Sequence, residues 1–574
     1  MTYSLRRHFN RLLAIGLFCI IGLAIAWPSM PASAQAAFLV NSTADTADTN
    51  VGNGLCADLN GACSLRAAIM EANALAGTEV ITLPAGTYEI AQSGTNDDED
   101  YRGDYDITGS FTLNGAGSAT TIIQPISTIN YYTRIFEVRT SGSITINGVT
   151  LRGIVGSSGG GLLIYNQGAV SLNDAILRDT VSDGAVSYGG AILNSGTLNI
   201  AHATFTHMRS RVEGGAIYNE AAGVVTITDS AFFDNEALGS YSTNGGAIAN
   251  YGGQLTITNT TFSGNRSGGS GAAIISHGAT ANTSLNNVTI VNNTSNHDAV
   301  GGEYASAIRG SGGGSFTIKN SIVANNYGWF NNAPDLTQEK NCLGDFISEG
   351  HNLFGGTQTC VFTGDTATHI INDTIHLGAL NTAGAAGTQS HRLLFGSPAL
   401  EAGNNATCAT TDQTGNTRPL DSDSSSTATC DMGAIEMSDT YAPRVAAVNT
   451  IPDTGDGLLT ENESTALDLT HLILSFDHAM FNPAGDISVD DVTNPANYRI
   501  VRAGANSSID TTTCAASPVG DDVTTAVYDG ASGQVTLALN VGGGLPNSAY
   551  RVVVCGALRR PAPTNLSLDG TAAD

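Results

Sequence analysis

Positive charge is scarce in this chain. Lysine occurs twice, at Lys319 and Lys340, and Lys+Arg total 23 against 51 Asp+Glu, a net charge of -28. That makes nucleic acid a poor partner, because neutralising phosphates requires clustered cations. No C-x2-C pair occurs, so the cysteines are not spaced as a zinc site. EF-hand spacing is also absent. Beyond the N-terminal segment no run is apolar enough to cross a bilayer, for which roughly 20 residues are needed. The leucine-rich repeat pattern L-x-x-L-x-L is missing.

The N-terminus carries an export pattern. Arg6, Arg7 and Arg11 precede an apolar run from Leu12 to Trp27, and small residues follow at Ala32-Ser33-Ala34. A basic region, a hydrophobic core and an A-x-A-like site predict a cleaved signal peptide over 1–34, and hence a secreted or cell-surface protein without a membrane-spanning segment. Cys19 leaves with the signal. Cys56, Cys63, Cys342, Cys360, Cys408, Cys430, Cys514 and Cys555 remain, an even number that predicts disulfides in an exported chain.

From about residue 140 to 327 the chain repeats itself. The stretch from Leu255 to Phe262 recurs as Ile144 to Leu151, Val170 to Leu177, Leu198 to Phe205, Val225 to Phe232, Thr283 to Ile290 and Phe316 to Val323. One apolar column reads Ile146, Leu172, Ile200, Ile227, Ile257, Leu285, Ile318. Another reads Leu151, Leu177, Phe205, Phe232, Phe262, Ile290, Val323. Between them runs Gly148, Asp174, His202, Asp229, Asn259, Asn287, Asn320, at intervals of 26, 28, 27, 30, 28 and 33 residues. Gly-Gly-Ala-Ile precedes these strands at Gly189, Gly214 and Gly245, with a looser version at Gly161 to Ile164, and Asn166, Asn194, Asn219 and Asn250 follow the Ile of each by two.

Alternation of period two makes strands. Each is too short to hide its apolar side alone, whereas stacking identical coils hides all of them. The expected fold is all-β: a parallel β-helix solenoid in which like residues stack on like, with polar turn positions able to form amide ladders. The repeats are too short for propeller blades. Lengthened turns at 237–244 and 295–304 are expected on one face, often the binding face. A solenoid also needs capped ends. Ser64 is the expected N-cap of a helix whose apolar face holds Leu65, Ala68, Ile69, Ala72 and Ala76. After Tyr441 the Gly-Gly repeats stop, Pro443 and Pro452 read as a linker, and strand-like runs at 467–476, 498–501, 534–541 and 550–555 suggest a β-sandwich. The expected division is a signal at 1–34, a cap and first coils at 35–107, the β-helix with its closing segment at 108–437, and an Ig-like module at 438–574.

Several strings carry a family resemblance. Cys63-Ser64-Leu65-Arg66-Ala67-Ala68 resembles the C-S-L-R-E-A signature of secreted β-helix proteins, with Ala67 in place of the Glu that would complete a capping box. Asp104-Tyr105-Asp106-Ile107 is similar to a G-D-x-D-I segment of the same family. Gly-Gly-Ala-Ile-Tyr-Asn and Thr-Ile-Thr-Asn-Thr-Thr-Phe-Ser-Gly-Asn look like polymorphic outer-membrane protein repeats. Ser397 to Gly403 and Cys430 to Glu436 resemble the closing segment of choice-of-anchor proteins, and Leu472 to Phe481 resembles bacterial Ig-like modules. The resemblance covers about residues 37–437. It implies a right-handed parallel β-helix of the pectin-lyase-like kind, exported and surface-associated, and usually carrying a C-terminal anchor. No such anchor signal is read here before Asp574.

Candidate chemistry is sparse. Asp174, His202 and Asp229 fall on three successive coils, so stacking brings them within roughly 5 Å of their neighbours. They are the catalytic candidates; the plainer reading makes them polar turn residues in a column where Asn is usual. Asp97, Asp98, Asp100, Asp104 and Asp106 are the candidate calcium ligands, against the plainer reading of a solvated acidic loop. No local lyase or hydrolase signature stands elsewhere. Three function classes remain: a surface adhesin or structural passenger, a polysaccharide lyase or hydrolase, and a carbohydrate-binding protein without turnover, each with an extracellular polysaccharide or protein as partner. The cysteines are expected to pair in sequence order, because a solenoid keeps distant coils apart; Cys342 could alternatively reach Cys408.

Overall fold

The computed structural model describes residues 36–92, 102–126, 134–153, 162–182, 188–237, 243–295, 305–330, 333–357, 359–372, 374–382, 388–422, 427–438, 443–451, 469–485, 488–502, 521–539, 550–555 and 558–561. The signal reading at 1–34 lies outside them. No helix among the described residues is long and apolar enough to cross a membrane.

The main body is a parallel β-helix. Each central coil contributes three strands, for example Ile192–Asn194, Thr197–Ala201 and Thr204–Ser210. Each pairs in parallel with its counterpart one coil away. The three resulting stacks are called here the first, second and third. The register matches like with like: Leu172 pairs Ile200, then Ile227, Ile257, Leu285 and Ile318. In the third stack Leu177 pairs Phe205, then Phe232, Phe262, Ile290 and Val323. All are buried. Phe205, Phe232 and Phe262 stack nearly flat, with ring centroids 4.5 and 4.9 Å apart.

Two ladders of buried asparagine amides accompany these apolar columns. Asn166 donates to Asn194, Asn194 to Asn219 and Asn219 to Asn250, at 2.7, 2.8 and 2.9 Å. Asn235, Asn265, Asn293, Asn326 and Asn341 form the second ladder, also by Nδ2-to-Oδ1 bonds. The expected ladder position is different. Asp174, His202, Asp229, Asn259, Asn287 and Asn320 are corner residues with φ between 47° and 52°, the left-handed region that Asn and Asp tolerate best. A second left-handed column lies five residues on, at Asp179, His207, Asp234, Gly264, Asn292 and Asn325. The first corner thus precedes the third-stack strand, and the second falls inside it, at Asp179 in Ile176–Ser182 and His207 in Thr204–Ser210.

The Gly-Gly pairs have two separate reasons. Gly189, Gly214 and Gly245 adopt φ of 66–69°. At Gly190 and Gly215 a Cβ would stand 2.0 and 1.9 Å from the carbonyl oxygen of the next coil's glycine, so no side chain fits.

The cap helix runs Leu65–Ala74, and the Ser64 hydroxyl accepts from the Ala67 amide at 3.0 Å. Ala67 is fully buried, which explains why a small residue replaces the capping-box Glu. Ala76 falls beyond the helix. Arg66 is fully buried, pairs with Asp45 at 2.6 Å, donates to the Gly103 carbonyl and lies 4.8 Å from the Tyr105 ring centroid. It clamps the cap onto the first coils.

Disulfides join Cys56 to Cys63, Cys342 to Cys360 and Cys408 to Cys430; Cys514 lies outside the described residues. The described residues between 375 and 437 return along the third stack and bury Ile375, Leu393, Ala399, Met432, Ile435 and Met437 against Val291, Ile322, Ala324 and Leu353. A buried Arg418–Glu436 pair at 2.7 Å ties this strap internally. The linker reading at Pro443–Pro452 needs correction. Val445–Ile451 is a strand, paired antiparallel with His471–Phe476, because its apolar residues help cover the next module's core. That module is an antiparallel sheet in the order 445–451, 471–476, 534–539, 521–529, 498–502, 550–554.

Candidate functional site

Side chains that face outward from the first stack follow from the inward asparagines. Since Asn166, Asn194, Asn219 and Asn250 point in, their predecessors point out. The outward row therefore reads Asp106, Glu137, Tyr165, Leu193, Tyr218, Ala249, Ile275 and Arg309, each in register with the next. Tyr251, His277 and Ser311 form a second outward row, two residues further along.

In the middle of this face aromatic rings stack from coil to coil. Tyr188 and Tyr218 have centroids 4.6 Å apart, Tyr218 and Tyr251 5.3 Å, and Tyr251 and His277 5.0 Å. Glu213 sits beside them, 9% exposed. Its Oε1 accepts from the Tyr251 hydroxyl at 2.6 Å and from the Asn244 amide at 3.0 Å. Ser270 donates to Asn244, and Arg309 donates to Ser270 at 2.6 Å. His277 Nδ1 lies 3.0 Å from the Ser311 hydroxyl. Burial pushes the Glu213 carboxyl up, against the lowering effect of the Tyr251 and Asn244 bonds. Burial also pushes the Tyr251 hydroxyl up, and the Glu213 contact adds to it. Of the lengthened turns expected on one face, most of 237–244 and 295–304 lies outside the described residues.

Toward the N-terminus the face becomes ionic. Arg134 pairs with Asp104 at 2.8 Å and with Glu137, while Arg139 pairs with Glu137 at 3.0 Å and Asp106 at 3.3 Å. The Arg134 guanidinium lies 5.6 Å from the Tyr165 ring centroid. Burial and the neighbouring Asp104 charge push the Asp106 carboxyl up to about 7, with Arg139 acting against them. Of the candidate calcium ligands, Asp97, Asp98 and Asp100 lie outside the described residues. Asp104 and Asp106 face guanidinium groups. No group of three or more His, Cys, Asp or Glu that could hold a metal occurs among the described residues.

Asp174, His202 and Asp229 sit elsewhere, at the corner between the second and third stacks. His202 Nε2 is 3.7 Å from Asp229 Oδ2, and Asp229 Oδ1 accepts from Asn259 at 3.0 Å. Burial pushes the Asp229 carboxyl up. The three are neighbours on successive coils, but the tyrosine row is not at this corner. The reading of the sequence passed over Tyr188, Glu213, Tyr218, Tyr251, His277 and Arg309. A signal was available: in Ile217-Tyr218-Asn219, alternation with a buried amide puts the ring outside.

No protein-family model and no curated protein matches the chain. A solved structure, the A-module of the Azotobacter vinelandii mannuronan C-5 epimerase AlgE6, is similar over 58% of this chain and 95% of that one, at 13% identity and a TM-score of 0.31. Those values are too low to carry residues or activity across.

Proposed function

We propose that the protein is an exported, surface-associated adhesin of the CSLREA and choice-of-anchor type that holds an extended polysaccharide along the outward face of the first stack, without turning it over. The observation that carries this reading is the coil-to-coil row Tyr188, Tyr218, Tyr251, His277, edged by Glu213, Asn244 and Arg309. Aromatic faces suit the C–H faces of sugar rings, and fixed carboxylate, amide and guanidinium groups suit hydroxyls. A binding site of this kind needs a few oriented polar groups among apolar surface. Repetition at the coil spacing offers like groups to a polymer of like units. The disulfides favour an extracellular setting. In this reading residues 35–107 cap the solenoid, 108–437 display the face, and 438–574 serve as an Ig-like spacer.

A polysaccharide array followed by calorimetry tests it. Tyr218→Ala is expected to weaken a neutral-polysaccharide hit by about tenfold, the scale of one aromatic contact. An array without hits, or hits indifferent to Tyr218→Ala, refutes the reading. A second reading, a lyase or hydrolase, draws on the upshifted Glu213 carboxyl beside Tyr251. Release of reducing ends or unsaturated sugars that is lost in Glu213→Gln would favour it instead.

A further inference from the structure

The third stack carries a second pattern, unrelated to the tyrosines. Arg152 and Arg178 are register partners on adjacent coils, and Asp179 is the carboxylate that both approach, at 3.2 and 3.9 Å. Like charges paired across strands are destabilising, and these side chains are 44% and 38% exposed. From the next coil on, in a separate column past the second left-handed corner, Arg209, Glu236 and Arg266 stand in register, with Glu236 3.7 Å from Arg209 and 3.0 Å from Arg266. Asp234, between Phe233 and Glu236, also feels the Arg266 charge, so four guanidiniums face three carboxylates, in a chain where Asp+Glu outnumber Lys+Arg by 51 to 23. Half-buried Phe233 continues the row of Arg178 and Thr206, and the Arg266 guanidinium lies 4.9 Å from the Trp329 ring centroid.

We propose that these two arginine pairs bind an anionic polysaccharide, one bearing carboxylate or sulfate groups, at a site separate from the tyrosine face. A guanidinium recognises either anion with two parallel hydrogen bonds. An anion lying between Arg152 and Arg178 offsets a repulsion that a single aspartate shares out. Phe233 supplies an apolar platform beside the charges, which suits a sugar chain better than a small ion. The two pairs together span five coils at ~4.8 Å each, in adjacent columns, so separate acidic units of one polymer engage the Arg152/Arg178 pair and the Arg209/Arg266 pair.

The test uses the full chain, with polygalacturonate and dextran sulfate as acidic probes and unmodified dextran as the neutral one. Polygalacturonate is expected to bind at low ionic strength and to lose affinity as salt rises. The double variant Arg152→Gln/Arg178→Gln is expected to weaken it about tenfold or more, with an unchanged melting temperature. Lysine at both positions should restore part of the affinity, and Tyr218→Ala should leave it intact. Binding of dextran sulfate with the same arginine dependence assigns the site to sulfated as well as uronic chains; its failure restricts the site to uronic ones. Polygalacturonate binding that survives the double glutamine variant, or that falls only with Tyr218→Ala, overturns the proposal. The second of those results would leave the tyrosine face standing, so the two readings fail separately.

Discussion

Replacing Phe232 by alanine probes the solenoid at its best-determined point. The ring is fully buried and lies between Phe205 and Phe262, with interplanar angles of 7° and 10°. Truncation removes two stacked contacts and leaves a void between coils. Those coils are held at fixed spacing by strand pairing on both sides, so the void cannot close. The upper part of the usual range applies, about 3–5 kcal/mol. The adjacent Phe233 faces outward and is half-buried, so Phe233→Ala should cost under about 1 kcal/mol. Urea unfolding followed by far-ultraviolet circular dichroism measures both, read as midpoint shifts at constant slope. Because each coil touches only its neighbours, amide exchange should rise around residues 204–263 and stay unchanged near the helix at Leu65–Ala74. Equal costs for the two phenylalanines would refute the register, since a one-residue slip exchanges their faces.

Asn219→Ala breaks the first amide ladder, removing the acceptor of Asn194 and the donor to Asn250; a loss of about 2–4 kcal/mol in urea unfolding is expected. The Asp106 carboxyl, raised from 3.8 to about 7 in the fold, holds a proton that the unfolded chain has already released between those values. Its contribution to stability therefore declines as pH rises from about 4 to about 7, and Asp106→Asn should compare more favourably with the wild type at the upper end than at the lower when both are melted. Arg418→Ala strands buried Glu436 and should cost about 3–5 kcal/mol. Non-reducing peptide mapping should return Cys56–Cys63, Cys342–Cys360 and Cys408–Cys430, with Cys514–Cys555 as the remaining pair; a link from Cys342 to Cys408 would contradict the coil arrangement around both.

Most of the solenoid was legible because its information is periodic. Ile200, Ile227 and Ile257 repeat at nearly one coil length, and only stacking buries all of them at once. The tyrosine face was not legible in the same way. Its members come from different columns, Tyr188 before a Gly-Gly pair, Tyr218 in one outward row and Tyr251 in another, so no single repeat position announces them. They meet because outward rows on neighbouring coils are only a strand spacing apart. Arg66 was hidden for a different reason: a charged residue in a helix reads as exposed until Asp45, 21 residues earlier, is known to face it. The strand at Val445–Ile451 was mistaken for a linker because prolines at 443 and 452 flank it, although neither lies inside it.

The corner column shows why residue type varies along an otherwise regular coil. Every member from Asp174 to Asn320 must hold a left-handed backbone, which Asn, Asp and, less readily, His can do. Asparagine prevails where the returning strap lies against the corner. Asn259 donates to the Thr411 carbonyl at 2.7 Å. Asn287 accepts from the Ala409 amide, and Asn320 accepts from the Asn404 amide and donates to the Thr407 hydroxyl. At Asn287 and Asn320 those contacts use a donor and an acceptor on one short uncharged side chain, and of such side chains Asn is the one that also tolerates the left-handed backbone. Asp174, His202 and Asp229 belong to the three coils before Asn259, the first member of this column that hydrogen-bonds the strap among the described residues. There the backbone requirement remains and the docking requirement is gone, so charged and titratable residues are tolerated. Their run of Asp, His and Asp thus satisfies the left-handed backbone that the corner imposes.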